Sequence, residues 1–430
     1  MSATIATNQT ILVVGGGIGG MTAALEAAEC GKQVILAERN ASLGGRTALL
    51  YRYFPKMCHP TCGLEINLRR VKANRNLRVL TQAEVTAVSG QRGDYTVTLK
   101  ISPRYVNSKC TACGECAKAV GAEIPNSYEY NLSKTRAAYL PHAMAYPQHY
   151  VLDPSIIGTP DADNAKAACK YGAIDLDMQT EMIELNVGAI VWATGWKPYD
   201  AAKIQPYGYD RFDNVITSLE FERLADPHGP TGGKLLRPSD GNPAKNIAFI
   251  QCAGSRDENH LRHCSRICCM ASLKQTQYVR EAYGEEGKST VYYIDIRSID
   301  RLEDFYLKVQ QDPNVKFIKS KVANIKLDEK SGDLILLGVD TEGYHRYAAQ
   351  HDLVVLAVGM EPESNGIALP ADIITDSSGF IEGSADGGQF GAGAASSPLD
   401  VNRATQSATA AALRAIQVVH KTSAVEGLRS

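Results

Sequence analysis

Apolar residues in this chain come in short, β-rich bursts separated by longer stretches of helical spacing. Thr10–Val14 (TILVV) is apolar throughout rather than alternating, as suits a strand buried on both faces of a parallel sheet. The turn Gly15-Gly16-Gly17-Ile18-Gly19-Gly20 follows at once. An alanine-rich helix is predicted next over roughly 19–30, with Gly31 as its stop, then a second strand over 33–37 ending at Glu38. Similar apolar runs into a turn recur at 188–196 (GAIVWATGW) and 352–362 (DLVVLAVGMEP). A further strand (246–251, NIAFIQ), helix (267–283) and strand (290–296) are predicted downstream, and the segment 379–415 ends in a small-residue helix. Strands alternating with helices predict an α/β fold built on parallel sheets.

The first glycine turn has the chemistry of a dinucleotide site. Gly15 permits the tight turn, Gly17 lets the backbone approach a pyrophosphate, and Gly20 lets helix and strand pack closely. Ile18 lies in this turn, just before a helix whose free N–H groups and dipole favour phosphate. Glu38 stands about twenty residues on, at a strand end, where a carboxylate accepts ribose hydroxyls. The continuation Glu38-Arg39, then Gly44-Gly45-Arg46, resembles the flavoprotein disulfide reductase superfamily, in which the second glycine pair closes over the FAD diphosphate. Ala193-Thr194-Gly195 resembles the turn at which those proteins cross between their two nucleotide domains. Gly391-Ala392-Gly393 resembles the last FAD element, although Ala394 stands where an Asp is usual; Asp400 and Gln406 are the polar candidates to replace it. The cofactor expected from this resemblance is FAD.

The second strand–loop–helix unit lacks a G-x-G-x-x-G. Between 246–251 and the following helix the loop carries Cys252, Cys264, Cys268 and Cys269, with Arg256, Arg262 and Arg266 among them. Four thiolates match the four irons of a [4Fe–4S] cube, and cationic neighbours would offset its charge. Zinc, with His260 and His263 nearby, and an inert cysteine-rich loop are the alternatives. On this reading no NAD(P)H site is expected.

A third cysteine set begins at Cys110-x2-Cys113-x2-Cys116, the opening of a bacterial ferredoxin motif, with Val120 where the fourth cysteine is expected. Cys169-Lys170-Tyr171-Gly172-Ala173-Ile174-Asp175 resembles the end of a second ferredoxin repeat. Because the last cysteine of each repeat serves the other repeat's cluster, Cys110, Cys113, Cys116 and Cys169 form one full set. One cluster or two per chain are therefore expected; a cluster-free docking remnant is the alternative. Cys58 and Cys62 are candidates for redox, cluster or packing roles, and Cys30 reads as a packed thiol. Lys274 is either a residue that reaches the flavin or a solvated lysine.

Length and charge narrow the class. A chain of 430 residues holds several domains, and a net charge of −2 gives no reason to expect nucleic acid or an anionic membrane as partner. Neither a secretory leader nor a membrane-length apolar run is read, so a cytoplasmic protein is expected, in which eleven cysteines point to metal or redox work rather than disulfides.

The stretch Gln251-Cys252-Ala253-Gly254-Ser255-Arg256-Asp257, followed by Cys264-Ser265-Arg266-Ile267-Cys268-Cys269-Met270, resembles the signature of the HdrA family of heterodisulfide reductase subunits. Phe54-Pro55 with Cys58 and Cys62, and Pro398–Val401 with the run 407–412, extend the likeness along most of the chain. Its length is similar to the HdrA-like subunits of bacterial sulfur-oxidising systems. The resemblance implies an electron-transfer subunit with HdrB- and HdrC-like partners, acting as a homodimer in cytoplasmic sulfur oxidation. An autonomous NAD(P)H-dependent disulfide reductase using Cys58 and Cys62, and a non-catalytic FAD scaffold, are the rivals. The expected organisation is two dinucleotide-binding (thioredoxin reductase-like) Rossmann-type domains with a ferredoxin-like insert. The FAD domain would comprise 8–103, 179–230 and 350–420, the insert 104–178, and the second nucleotide-fold domain 231–349.

Overall fold

The computed structural model describes residues 6–364, 369–370 and 372–427, which form two compact units. The first unit comprises Met1–Ala48, Thr61–Trp196 and Pro362–Ser430; the second comprises Leu49–Pro60 and Lys197–Glu361.

In the first unit, five parallel strands lie in the order Gln389–Gly391, Ala189–Trp192, Thr10–Val14, Gln33–Glu38 and Leu77–Thr81. Ile381–Ser384 and Ile373–Thr375 extend the sheet antiparallel at the Gln389–Gly391 edge. The uniform apolar run of the first strand is explained by its position: all five of its residues are buried. Helix Ile18–Glu29 packs on one face against helix Val401–Gly427, and Ala24, Ala27 and Ala28 share a core with Ala408, Ala411, Ala412 and Ala415. Small side chains let the two backbones approach closely, while dispersion and apolar burial hold them together.

The insert folds around its own small core of Val106, Val120, Leu152, Ile156, Ala165 and Ile174. Its regular pieces are short: helices Glu115–Ala119 and Pro160–Ala168, and the antiparallel pairs Glu123–Pro125 with Lys134–Arg136 and Ala138–Tyr139 with Val151–Leu152. A separate antiparallel sheet of Ala83–Gln91, Asp94–Ile101 and Glu181–Val187 brackets it in sequence.

The second unit repeats the parallel theme, with strands in the order Val215–Thr217, Leu353–Val358, Asn246–Ala253, Lys288–Tyr293 and Val315–Lys319. Here the expected boundaries at 230 and 350 are corrected. Val215–Thr217 pairs in parallel with Leu353–Val358, which pairs with Asn246–Ala253, so both flanking strands belong to this unit. The runs AIVW and LVVLAV have the same apolar character, and pattern alone does not say which sheet each joins.

Candidate flavin cradle and cysteine sites

The first unit builds the cradle expected at its N-terminus. Gly15 sits at φ +106°, and a Cβ there would lie 2.3 Å from the Ala193 carbonyl oxygen, so only glycine fits against the 193–195 turn. Glu38 is buried at the end of its strand; its carboxylate accepts from Gly16 N at 2.5 Å and Asn40 N at 2.7 Å. Burial raises its pKa above the usual carboxylate range, although the two N–H donors and Arg39 pull the other way. Thr194 presents a buried Oγ1 without a partner. Gly44 pairs with Gly17 as an isolated parallel bridge, and a Cβ on Gly45 would lie 2.8 Å from Gly17 Cα. Arg39 reaches Glu363 at 2.9 Å, with Arg46 3.8 Å from the same carboxylate. Arg46 also donates to the Trp196 carbonyl at 2.5 Å. Gly393 lies at φ +60° over Gly19, and its N–H donates to Ser407. Asp400 is used as the cap of the last helix, accepting from Arg403 N at 3.0 Å, and Gln406 is exposed. Bare backbone at the turn, a ribose-ready carboxylate and an orphaned buried hydroxyl fit a dinucleotide such as FAD.

The insert brings Cys110, Cys113, Cys116 and Cys169 to the walls of one cavity, together with Tyr150 and Ala173. Ala112 N donates to Cys110 Sγ at 3.4 Å, and Ala173 N donates to Cys169 Sγ at 3.3 Å. Burial works to raise the Cys169 thiol, but the N–H groups of Ala173, Tyr171, Ile174 and Gly172 outweigh it and lower the pKa. At Cys116 burial dominates and, with its three sulfur neighbours, pushes the thiol up to about 11 against the N–H of Ala117. Val120, in place of the missing ligand, is a buried core residue. Four sulfurs around one space, with amides already donating to two of them, fit a cluster-type donor set.

The second unit buries Cys252, Cys268 and Cys269 and leaves Cys264 half-buried. Cys252 and Cys268 share one buried cluster, and contact with Cys268, then burial, raises the Cys252 thiol far above its usual range against the opposing Arg256. At Cys268 the same contact lowers the pKa, yet Cys269 and burial leave it raised. Arg266 N and Arg297 N donate at 3.4 Å to Cys264 Sγ and Cys269 Sγ respectively. Cys252, at an irregularity near the end of its strand, and Arg256 and Arg266 in the loop lie at positive φ, a conformation side chains rarely adopt and one that clusters at functional sites. Beside Cys252, both polar atoms of the Gln251 amide and the Ser255 hydroxyl are buried without partners. Sequence reading missed these two, since nothing local marks a polar residue as unsatisfied. Among the described residues no three His, Cys, Asp or Glu side chains form a group that could hold a single metal ion. The histidines of the zinc alternative have other partners: His263 Nε2 with the Met360 carbonyl and His260 Nδ1 with the Tyr199 hydroxyl, both at 2.8 Å.

Three remaining thiols and one lysine differ from expectation. Cys30 is exposed at the C-cap of its helix rather than packed, because the helix turns its alanine face inward and ends there. Cys58 and Cys62 are exposed, so neither is a packed thiol. Lys274 is 2% exposed: its Nζ pairs with Glu222 at 2.9 Å and donates to the Arg52 carbonyl at 2.6 Å, which excludes the solvated alternative. Glu222 also accepts from Gln275 Nε2, the Tyr278 hydroxyl and Tyr51 N. Burial lowers the Lys274 pKa and the Glu222 charge opposes it.

The family model of FAD-dependent oxidoreductases matches residues 10–102, the segment that holds the glycine turn, Glu38 and the Gly44–Gly45 loop. The chain is 38% identical to the A-type iron-sulfur subunit, copy 2, of the CoB–CoM heterodisulfide reductase of Methanopyrus kandleri, over 94% of this chain and 63% of that protein. It is 39% identical to the corresponding iron-sulfur subunit of Methanocaldococcus jannaschii, over 83% and 54%. The A-type subunit of the H2:CoB-CoM heterodisulfide, ferredoxin reductase of Methanothermobacter marburgensis matches at 34%, over 96% and 64%. The chain thus spans about half to two thirds of the length of these curated relatives. Among solved structures, thioredoxin reductases of Lactococcus lactis and T. acidophilum share the fold at TM-scores of 0.53 and 0.51, each at 13% identity, covering 96% of this chain and 99% of theirs. Along most of its length the chain is thus similar to the A subunits of heterodisulfide reductases, and its α/β fold is that of the thioredoxin reductases.

Proposed function

We propose that the chain is the FAD- and [4Fe–4S]-dependent electron-transfer subunit of a heterodisulfide reductase-like complex, with HdrB- and HdrC-like partners carrying the substrate chemistry. Homodimer formation and a role in cytoplasmic sulfur oxidation are part of the same proposal. The observation that carries it is the pairing of a dinucleotide cradle with two four-cysteine sets. Gly15, Gly17, Ile18, Gly20, Glu38, Gly45 and Thr194 would hold FAD, which supplies exchange between two-electron and one-electron chemistry. Cys110, Cys113, Cys116 and Cys169 would hold one cluster, and Cys252, Cys264, Cys268 and Cys269 the other, each supplying one-electron transfer. The chain's own contribution is to fix sulfur positions through backbone N–H donors and to keep arginines near the buried thiols of the second set. Lys274 is proposed as a charge within the second unit, held by Glu222. The test is iron, acid-labile sulfide and flavin per chain after anaerobic purification. One FAD with about eight irons supports the reading, since each cube holds four. Zinc without sulfide, or a flavin bleached by NADPH alone, overturns it.

A further inference from the structure

We propose that the cysteine-bearing insert is the outer wall of the flavin site. In this reading Arg104, Tyr128, His142 and Tyr146 hold the 40–48 loop in its cofactor-binding shape, so that flavin binding and the state of the insert are coupled. This deepens the function proposed above and rests on its FAD reading, but it does not require that the cysteines carry a cluster.

The loop has two sides. Inward it joins the glycine turn, with Gly44 N donating to Gly16 O at 2.9 Å. Outward it meets the insert at four places. Leu43 N donates to Tyr146 O at 2.9 Å, and Tyr146 N returns a bond to Ser42 Oγ at 2.9 Å. His142 Nε2 lies 3.3 Å from the same Ser42 hydroxyl. The Tyr128 hydroxyl donates to Ala48 O at 2.7 Å, and its ring stacks on His142 at a centroid distance of 5.2 Å. Arg104 donates to Ala41 O and to Thr81 Oγ1 on the loop side, and to His149 O, 3.0 Å away, within the insert.

Arg104 shows how firmly this wall is set. It is 8% exposed, and among the described residues its bonds go to two carbonyls and a hydroxyl rather than to a carboxylate. Burial holds its pKa down to about 10, with Tyr139 and Cys110 opposing. A buried guanidinium persists where its donors are fixed, and here they span the loop and the insert.

Gly44 and Gly45, both at positive φ, give the loop more conformational freedom to lose on ordering than other residues would. Without backing, its ordering would be charged against cofactor binding; a preformed wall removes most of that cost. Linkage is reciprocal: whatever factor the ordered insert adds to FAD affinity, FAD adds to the stability of the insert.

The experiment compares full-length parent, His142→Ala/Tyr128→Phe and His142→Gln, each stripped of FAD and retitrated by flavin fluorescence. The double variant is expected to bind FAD about tenfold more weakly, and His142→Gln, which keeps a polar group facing Ser42, within about threefold of parent. Melting of the FAD-free proteins is expected to coincide, while the rise in Tm on adding FAD shrinks in the double variant. In iron-free parent, FAD is expected to slow maleimide labelling of Cys169 about tenfold. FAD affinities within twofold across the set, or an equal loss of Tm with and without FAD, overturn the coupling. Should Ala at 142 unfold the FAD-free chain, Tyr128→Phe alone, which removes only a hydroxyl, decides by the same criteria. A parent that binds no FAD overturns the proposed function as well, whereas iron content tests the cluster reading alone.

Discussion

The two strand–loop–helix units of this chain start alike and end in different chemistry. In the first, strand Thr10–Val14 passes through glycines directly into helix Ile18–Glu29. In the second, strand Asn246–Ala253 runs into a long loop that returns to helix Cys268–Tyr283, whose first two residues are cysteines. A pyrophosphate is bound by backbone N–H groups, so its loop must be short and bare. Metal-type ligation needs side-chain sulfurs, so its loop must be long enough to fold back and turn those side chains inward. The left-handed residues Cys252, at the end of the strand, and Arg256 and Arg266, in the loop, mark where the chain bends there. Position in the fold is shared; what the connection carries is not, glycine backbone in the first unit and cysteine side chains in the second.

The sharpest way to break this contrast is to put a side chain in the bare loop. Gly15→Val is expected to abolish FAD binding, because its Cβ would meet the Ala193 carbonyl at 2.3 Å and its φ of +106° excludes a β-branched residue. Flavin absorbance after reconstitution reads the loss, and far-UV circular dichroism checks that the sheet persists. Retained binding within tenfold would mean that the turn is not the phosphate site. Next in size are the cysteine sets. Cys268→Ser and Cys110→Ser are each expected to remove about four irons per chain independently of the other. Joint loss on either substitution would show that only one set assembles a cluster.

The cradle was legible in sequence because each of its requirements is local: strand, glycines, helix start and acid follow one another from Thr10 to Glu38. The 110–116 and 169 cysteines were also legible, since ferredoxin spacing survives although the chain between them folds into two short hairpin pairs. What did not show was anything that depends on a distant partner. The strand at Leu353–Val358 reads like a flavin-domain strand until its neighbours are known. Lys274 reads equally as a lysine that reaches the flavin or as a solvated one until it is seen, with Gln275 and Tyr278, around the Glu222 carboxylate. His142 and Arg104 lie in a segment whose sequence speaks only of cysteines, yet they bond to Ser42 and Ala41 of the 40–48 loop.

That buried carboxylate sharpens the comparison on the side of the second unit. Glu222→Gln is expected to cost about 3–5 kcal/mol, the range for leaving one charge of a buried pair unpaired. Chemical denaturation should read it. Because burial already lowers the Lys274 pKa, part of the cost should be relieved by raising the pH, as the unpaired amine loses its proton. Lys274→Met added to Glu222→Gln is expected to recover most of the loss. A smaller contrast lies inside the insert. In iron-free protein near pH 8, Cys169 is expected to react with iodoacetamide at least tenfold faster than Cys116, because one thiol is lowered and the other raised to about 11. The ratio should narrow as pH climbs toward 11; a ratio constant with pH would mean that access alone separates them.

The smallest effect separates the two arginines that flank the Gly44–Gly45 loop. Arg39 and Arg46 both address Glu363, but they are held differently. The Arg39 side chain is 47% exposed with a single ion pair, and such pairs contribute up to about 1 kcal/mol and weaken with salt. Arg46 is more buried, donates to the Trp196 carbonyl, and lies over the Trp196 ring at 5.3 Å, a geometry that adds a cation–π term less sensitive to screening. Arg39→Ala is therefore expected to change FAD affinity by no more than about fivefold at low salt and by nothing measurable at high salt. Arg46→Ala should cost more, and its cost should survive added salt. If both losses disappeared with salt, the loop would be held by charge alone. If neither did, its shape would be set by the insert and the glycine bridge, with the arginines serving the cofactor only.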